Sequence, residues 1–164
     1  MNMERWILIG IIAISILALF FLVPKNKARE AWMIFLSLQI ITWPAGLLAV
    51  EWNMIDYPIQ LFSFANEFNR SSFTFEFFLF PVTAIMFNLY YPKKIKKTGT
   101  FFYYFLFAGF FTCLEVIIER HTELVNYISW HGSYTLITVM VTLFLNHTYY
   151  HWFKKGVKGT ETNE

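Results

Sequence analysis

The chain is short of charge, of cysteine and of every common nucleotide-binding motif, and each shortage excludes something. Only 15% of its 164 residues are charged, against roughly 25% in a soluble domain. A surface so poor in charge would aggregate in water, so much of it must face lipid. Net charge is +2, too little to argue for nucleic acid, and no basic cluster carries the interleaved aromatics of a single-strand binder. The single cysteine, Cys113, rules out an intramolecular disulfide and a multi-cysteine metal site; in its apolar run it reads as a small hydrophobe. There is no G-x-x-x-x-G-K-[ST] phosphate loop and no G-x-S-x-G elbow. Paired acidic clusters of the kind that hold Mg²⁺ on a prenyl diphosphate are missing, as is a mid-span lysine for retinal.

What is present is apolar: 57% hydrophobic and 21% aromatic residues. Five segments, 6–23, 31–50, 73–91, 100–118 and 132–150, approach the ~20 residues needed to cross a ~30 Å hydrocarbon core. In lipid they must be helices, because open strands leave backbone groups unsatisfied. The expected fold is all-α, one polytopic membrane bundle over residues 1–164 with five transmembrane helices. Lys25, Lys27, Arg29, Lys93, Lys94, Lys96, Lys97, Lys154, Lys155 and Lys158 then share one side, ten of the thirteen Lys and Arg residues. The positive-inside rule makes that side cytoplasmic, with the N-terminus outside and the C-terminus inside. The first segment carries its positive charge after the apolar run, unlike a cleavable signal, and reads as a retained span.

Short inner connections predict that spans one and two, and spans three and four, are antiparallel neighbours. The 53–70 connection carries Ile55, Ile59, Phe62 and Phe68 near helical spacing, with Asp56 as a cap and Pro58 in an early turn. It predicts a short interfacial helix between spans two and three. Ser72 is a candidate cap for span three, and Pro44 predicts a kink in span two.

Glu51, Asp56, Glu67, Glu76, Glu115, Glu119 and Glu123 all fall on or near the outer side. Acids are left outside once bases are held inside, but that does not cover Glu76 and Glu115, which lie within apolar runs. A charge at mid-membrane costs about 2.5–3.5 kcal/mol on insertion scales, less near the edge, so such residues face the bundle interior or a wet cavity and have a partner. Glu115, Glu119 and Glu123 repeat at i, i+4, i+8 and share one face if the helix runs on. Such a ladder needs a protonated member, or compensation by Arg120, His121, Arg70 or a cation. A structural ion-pair cluster is the commoner outcome; a proton, cation or ligand site is the sharper one.

Span five carries a second polar line: His131, Thr135, Thr138, Thr142 and Asn146, spaced four, three, four and four. Threonines bonding the preceding turn and packing closely explain such a line; a hydrated path facing the span-four carboxylates is the alternative. His147 and His151 form an H-x-x-x-H pair, one helix turn apart, whose spacing suits a divalent metal. Without a third ligand nearby in sequence, interfacial packing is the ordinary reading, and no cofactor is expected.

"DYPIQLF", "SSFTFEFFLFPVTAIMFNLYYPK" and "TELVNYISWHGSYTLITVMVTLFLNHTYYHWFKK" together resemble a family of small multi-span membrane proteins from spore-forming Firmicutes. Its marks are an acidic-Tyr-Pro turn, a phenylalanine-rich span with an "NxYYP" exit, and a "TxLxxYxxW" segment before the last span. The resemblance implies a bacterial cell membrane, adds no activity, and directs attention to Asp56, Tyr57, Pro58, Glu76, Thr122, Glu123, Tyr127 and Trp130. The leading expectation is a non-enzymatic membrane protein whose outer face binds a small ligand or a membrane partner, including a second copy. The alternatives are a small oligomeric proton or cation conductor, and a lipid-directed enzyme with Glu115 and His131 or His121 as acid and base.

Overall fold

In the computed structural model, residues 2–62, 71–92, 94 and 96–161 are described, with side chains through Gly156. They form five helices: α1 (Met3–Leu22), α2 (Ala28–Glu51), α3 (Phe75–Leu89), α4 (Lys97–His121) and α5 (Gly132–Glu161). A 3₁₀ turn, Lys25–Lys27, leads directly into α2. Three of these helical stretches are long and apolar enough to cross a membrane: Met3–Leu22, Lys25–Glu51 and Lys97–His121. Between their charged ends their outward faces are largely apolar. Trp6, Ile14, Phe20 and Phe21 of α1, Leu36 and Ile40 of α2, and Phe102, Leu106 and Phe110 of α4 are all exposed. A water-soluble monomer does not leave apolar surface of this extent uncovered; three helices of this length and composition suit a membrane protein.

Helix α3 is different in kind. It is short, five π-helical residues (Phe75–Leu79) followed by ten α-helical ones (Phe80–Leu89), and most of it is buried, with Ala84 and Phe87 completely enclosed. The other helices surround it. The expected neighbours are partly rearranged: α1 lays its backbone against α3 instead of along α2. Leu8, a fully buried α1 residue, packs there with Phe75. Helices α3 and α4 meet through rings, Phe80 on Phe111 at 4.5 Å and Phe87 on Tyr104 at 4.7 Å between centroids.

The π segment has a local cause. Phe80 N–H bonds the Phe75 carbonyl, five residues back. The corresponding donor to the Glu76 carbonyl would be Pro81, which has no N–H. Gln39 of α2 supplies it, its Nε2 donating to Glu76 O at 2.8 Å. Helix α3 begins where expected, with the Ser72 carbonyl accepting Glu76 N–H at 3.0 Å. Helix α2 runs through Pro44 without interruption.

The 53–70 connection departs from expectation. Through Phe62 it contains no helix; residues 63–70, including Glu67, Phe68 and Arg70, lie outside the described residues. Helix α2 ends in a Schellman motif, with Asn53 N–H on Val50 O and Met54 N–H on Ala49 O, both 2.9 Å. Asn53 sits at φ 52°, a left-handed position that asparagine tolerates. The chain then turns into a short strand, β1 (Ile55–Asp56), paired antiparallel with β2 (Asn126–Tyr127). Asp56 is therefore a strand residue and caps no helix. Ile128 and Ser129 N–H add bonds to Met54 O at 3.1 and 3.2 Å. The two connections at this end are thereby knitted into one lid, with Ile55, Leu124 and Val125 buried beneath it.

Candidate functional site

Two packed clusters hold the bundle. One, around Leu8, Phe75, Leu124 and Val125, lies under the lid. The other, around Ile34, Leu38, Phe87 and Leu143, lies toward the lysine-bearing end. Between them is a cavity of about 130 Å³, room for roughly four waters at ~30 Å³ each. Helix α2 gives it Leu38, Thr42, Ala45, Gly46 and Ala49, small residues at helical spacing that hold the wall back. Helix α3 contributes Glu76, Phe80 and Thr83; α4 contributes Phe111 and Glu115; α5 contributes Thr135, Thr138, Val139, Thr142 and Leu143. Ile55, Tyr57 and Trp130 close it from the lid.

The carboxyl of Glu76, 3% exposed, is aimed into this space, and its Oε2 has no hydrogen-bond partner. It fits only because position 46 is glycine: a Cβ there would overlap Glu76 Oε1 and stand 3.1 Å from its Cδ. Glu115 is held more fully. Its Oε1 accepts from the Tyr127 hydroxyl at 2.6 Å and from Thr135 Oγ1 at 3.0 Å. Thr135 in turn accepts from Trp130 Nε1 at 2.8 Å. Burial pushes the Tyr57 phenol well above its ordinary value, and the neighbouring Glu76 and Glu115 carboxyls act in the same direction. Tyr127 is pushed up by burial first and by Glu115 second. Both phenols stay protonated, and Tyr127 donates to Glu115.

Several donors near this cavity are committed to partners in its wall. Tyr127 and Trp130 are bound to Glu115 and Thr135. Thr42, Thr83 and Thr138 donate to the carbonyls of Leu38, Leu79 and Tyr134 on their own helices, leaving hydroxyl lone pairs for the interior. With two carboxyls added, the wall accepts hydrogen bonds far more readily than it gives them.

No family model matches the chain, and no curated protein or solved structure is similar to it. The site therefore has to be read from its own geometry.

That geometry sorts the sequence candidates. Glu76, Glu115, Tyr57, Thr135, Thr138 and Thr142 come together in the cavity. Glu119, partly exposed, and Glu123, fully exposed, do not. Helix α4 stops at His121, so Glu123 leaves the ladder's face. The stop is built from side chains: His121 Nδ1 bonds Ile117 O at 2.9 Å and Thr122 Oγ1 bonds Ile118 O at 2.7 Å. Arg120, His121 and His131 are exposed and outside the cavity, so the imidazole–Glu115 pair required of a lipid-directed enzyme is not assembled. Among the described residues neither Glu76 nor Glu115 is ion-paired; the described salt bridge, Lys154 to Glu30 at 3.0 Å, is at the other end.

Asn146 leaves the threonine line for a separate role. It is fully buried, donating through Nδ2 to Ser37 Oγ at 2.9 Å and Ile34 O at 3.1 Å, and accepting from Asn88 Nδ2 at 2.8 Å. Asn88 Oδ1 lies 2.7 Å from His147 Nδ1; since that oxygen only accepts, Nδ1 carries the hydrogen. His147 and His151 meet edge to face at 4.4 Å between centroids. Among the described residues no group of three or more His, Cys, Asp or Glu could hold a metal ion.

Sequence reasoning passed over Gln39, Thr42 and Gly46, spaced three and four apart on one face of α2. A polar and small-residue line within an apolar span was the available signal. Tyr127 and Trp130 entered only through the family resemblance, and Asn88 only as part of the "NxYYP" exit.

Proposed function

We propose that this is a five-span integral membrane protein, non-enzymatic, whose cavity under the lid binds a small ligand carrying a protonated amine or similar hydrogen-bond donor. The observation that carries the reading is Glu76 Oε2, buried and unpartnered in an acceptor-rich cavity. A buried polar atom without a partner costs about 1–3 kcal/mol, and a ligand donor would recover that energy. The paired connections cover the cavity at one end, and its size favours a small molecule over a protein partner. Phe80, Phe111 and Trp130 suit an apolar body behind the donor, and an aromatic face attracts a cation.

The supported threading places the lid outside and the lysine-bearing end in the cytoplasm, in a bacterial cell membrane of the kind the family resemblance implies. The basic-residue asymmetry supports it. Labelling a Lys155→Cys, Cys113→Ser chain in sealed cells checks it: reaction with an impermeant thiol reagent from outside rejects this orientation.

Proton or cation conduction is the weaker reading. Beyond Leu38 and Leu143, on the lysine side of the cavity, Ile34, Phe87 and Asn146 are fully buried, and Asn146 is satisfied by its neighbours. The threonine line therefore ends against packed protein.

Titrating purified protein with n-butylamine while following Trp130 fluorescence tests the binding reading, with Trp130→Phe as the blank. Glu76→Gln is expected to weaken the response at least about tenfold, as for a lost charge-assisted bond. Glu119→Gln should leave it unchanged. Equal titrations for wild type and Glu76→Gln reject the site.

A further inference from the structure

A second recess lies at the opposite end of the bundle and plays no part in the cavity reading. It measures about 390 Å³ and is walled by Lys27 before α2, Tyr91 and Pro92 after α3, and Tyr150, His151, Lys154 and Lys155 of α5. Three lysines from two separate parts of the chain line it. One is neutralised: Lys154 Nζ bonds both oxygens of Glu30 at 3.0 Å, and the Tyr150 hydroxyl also donates to Glu30. Lys27 and Lys155 form no ion pair among the described residues. Glu30 is the carboxyl facing this group, and Lys154 spends its charge on it. The recess is left with two lysines outside any described ion pair, of which Lys27 also feels the Glu30 carboxyl at longer range, an adjacent imidazole and two tyrosine rings.

We propose that this recess binds a phosphate group, carried by an anionic lipid of the adjoining leaflet or free in solution. The volume holds about a dozen waters at ~30 Å³ each, enough for a phosphoglycerol group. Lysine ammoniums engage phosphate as point charges from flexible stems, so two of them approaching from different elements can close on one phosphate without a preformed fork. The recess adjoins helices whose flanks are apolar and exposed, a setting in which an anionic lipid headgroup can reach it. The Lys154–Glu30–Tyr150 cluster ties α5 to α2 and so holds together the two parts of the chain that bring Lys155 and Lys27 to the recess.

The test uses the full chain in detergent, equilibrated with micelles of equal parts phosphatidylcholine and phosphatidylglycerol. Retained lipid is counted by native mass spectrometry, and inorganic phosphate binding is followed in parallel by ³¹P line broadening. Lys27→Gln and Lys155→Gln should each lower retention about fivefold, the scale of one lysine at an anionic surface. Lys155→Arg should retain it, which separates loss of charge from loss of fold. Lys94→Gln, an exposed lysine outside the recess, should change nothing. Charge-dependent retention of phosphatidylglycerol without phosphate broadening assigns the lipid as the source; broadening that disappears in the same two variants assigns free phosphate. Retention and broadening that persist in both variants, or that fall as far with Lys94→Gln, overturn the proposal.

Discussion

Gly46 and Glu76 occupy each other's space, and their coupling can be measured without knowing any ligand. Replacing Gly46 by alanine gains about 1 kcal/mol of helix propensity and incurs an overpacking cost of about 1–3 kcal/mol. The obstacle is Glu76 Oε1, the end of a flexible side chain with an open cavity beside it. The carboxyl can swing aside, so the cost falls at the low end, and Gly46→Ala alone should lie within about 1 kcal/mol of wild type. With Glu76→Ala in place the obstacle is gone, and Gly46→Ala should then stabilise by about 1 kcal/mol. The two changes should couple by about 1–2 kcal/mol. Helix loss in dodecyl sulfate and mild-detergent mixed micelles, followed by circular dichroism for the four chains of the cycle, reads this directly. Coupling within error of zero would show that Glu76 does not rest against Gly46, and the cavity geometry would have to be abandoned.

Further outcomes follow from the same contacts. Tyr127→Phe removes one of the two donors to Glu115 and should lower stability by about 1–2 kcal/mol in the same unfolding assay, with Glu115→Gln abolishing most of the difference. Asn146→Leu strands the partners on α2 and α3 and should cost about 2–3 kcal/mol, whereas Thr138→Val, at an exposed position bonded only to its own helix, should stay within about 0.5 kcal/mol. Lys154 sits beyond the apolar part of α5; burial opposes its charge, but its bonds to Glu30 and Tyr150 outweigh that and raise its pKa. Its contribution is therefore complete below the usual lysine value of ~10.4 and is lost as pH rises through the raised folded value. Melting curves from neutral to strongly alkaline pH should show a drop that Lys154→Met removes.

Much of the site's membership was legible before the fold. Glu76 and Glu115 stood out because each interrupts an apolar run, and both reach the cavity. Thr135, Thr138 and Thr142 stood out by periodicity, and they line it. The ladder misled beyond Glu115, since helical spacing says nothing of where a helix stops; His121 and Thr122 stop it through bonds that depend on rotamers. The connection after span two misled for a similar reason. Ile55, Ile59 and Phe62 satisfy a helical period, yet Ile55 is buried as a strand residue because a partner strand 70 residues later pairs with it.

Lipid solvation is a property of composition along the chain. The sequence by itself therefore determined that this protein is helical and apolar on its outside, and that most of its bases fall in two of its connections and its C-terminal segment. It also named the two carboxyls that must find company. Tertiary structure alone decided what that company is. Glu115 is matched by Tyr127 and Thr135 instead of a cation, Glu76 is left open beside Gly46, and short α3 lies at the centre because Gln39 supplies the donor that Pro81 lacks. Each of these depends on groups from different helices arriving within about 3 Å. Such arrivals are fixed by how side-chain shapes pack between segments, which no pattern within one segment records.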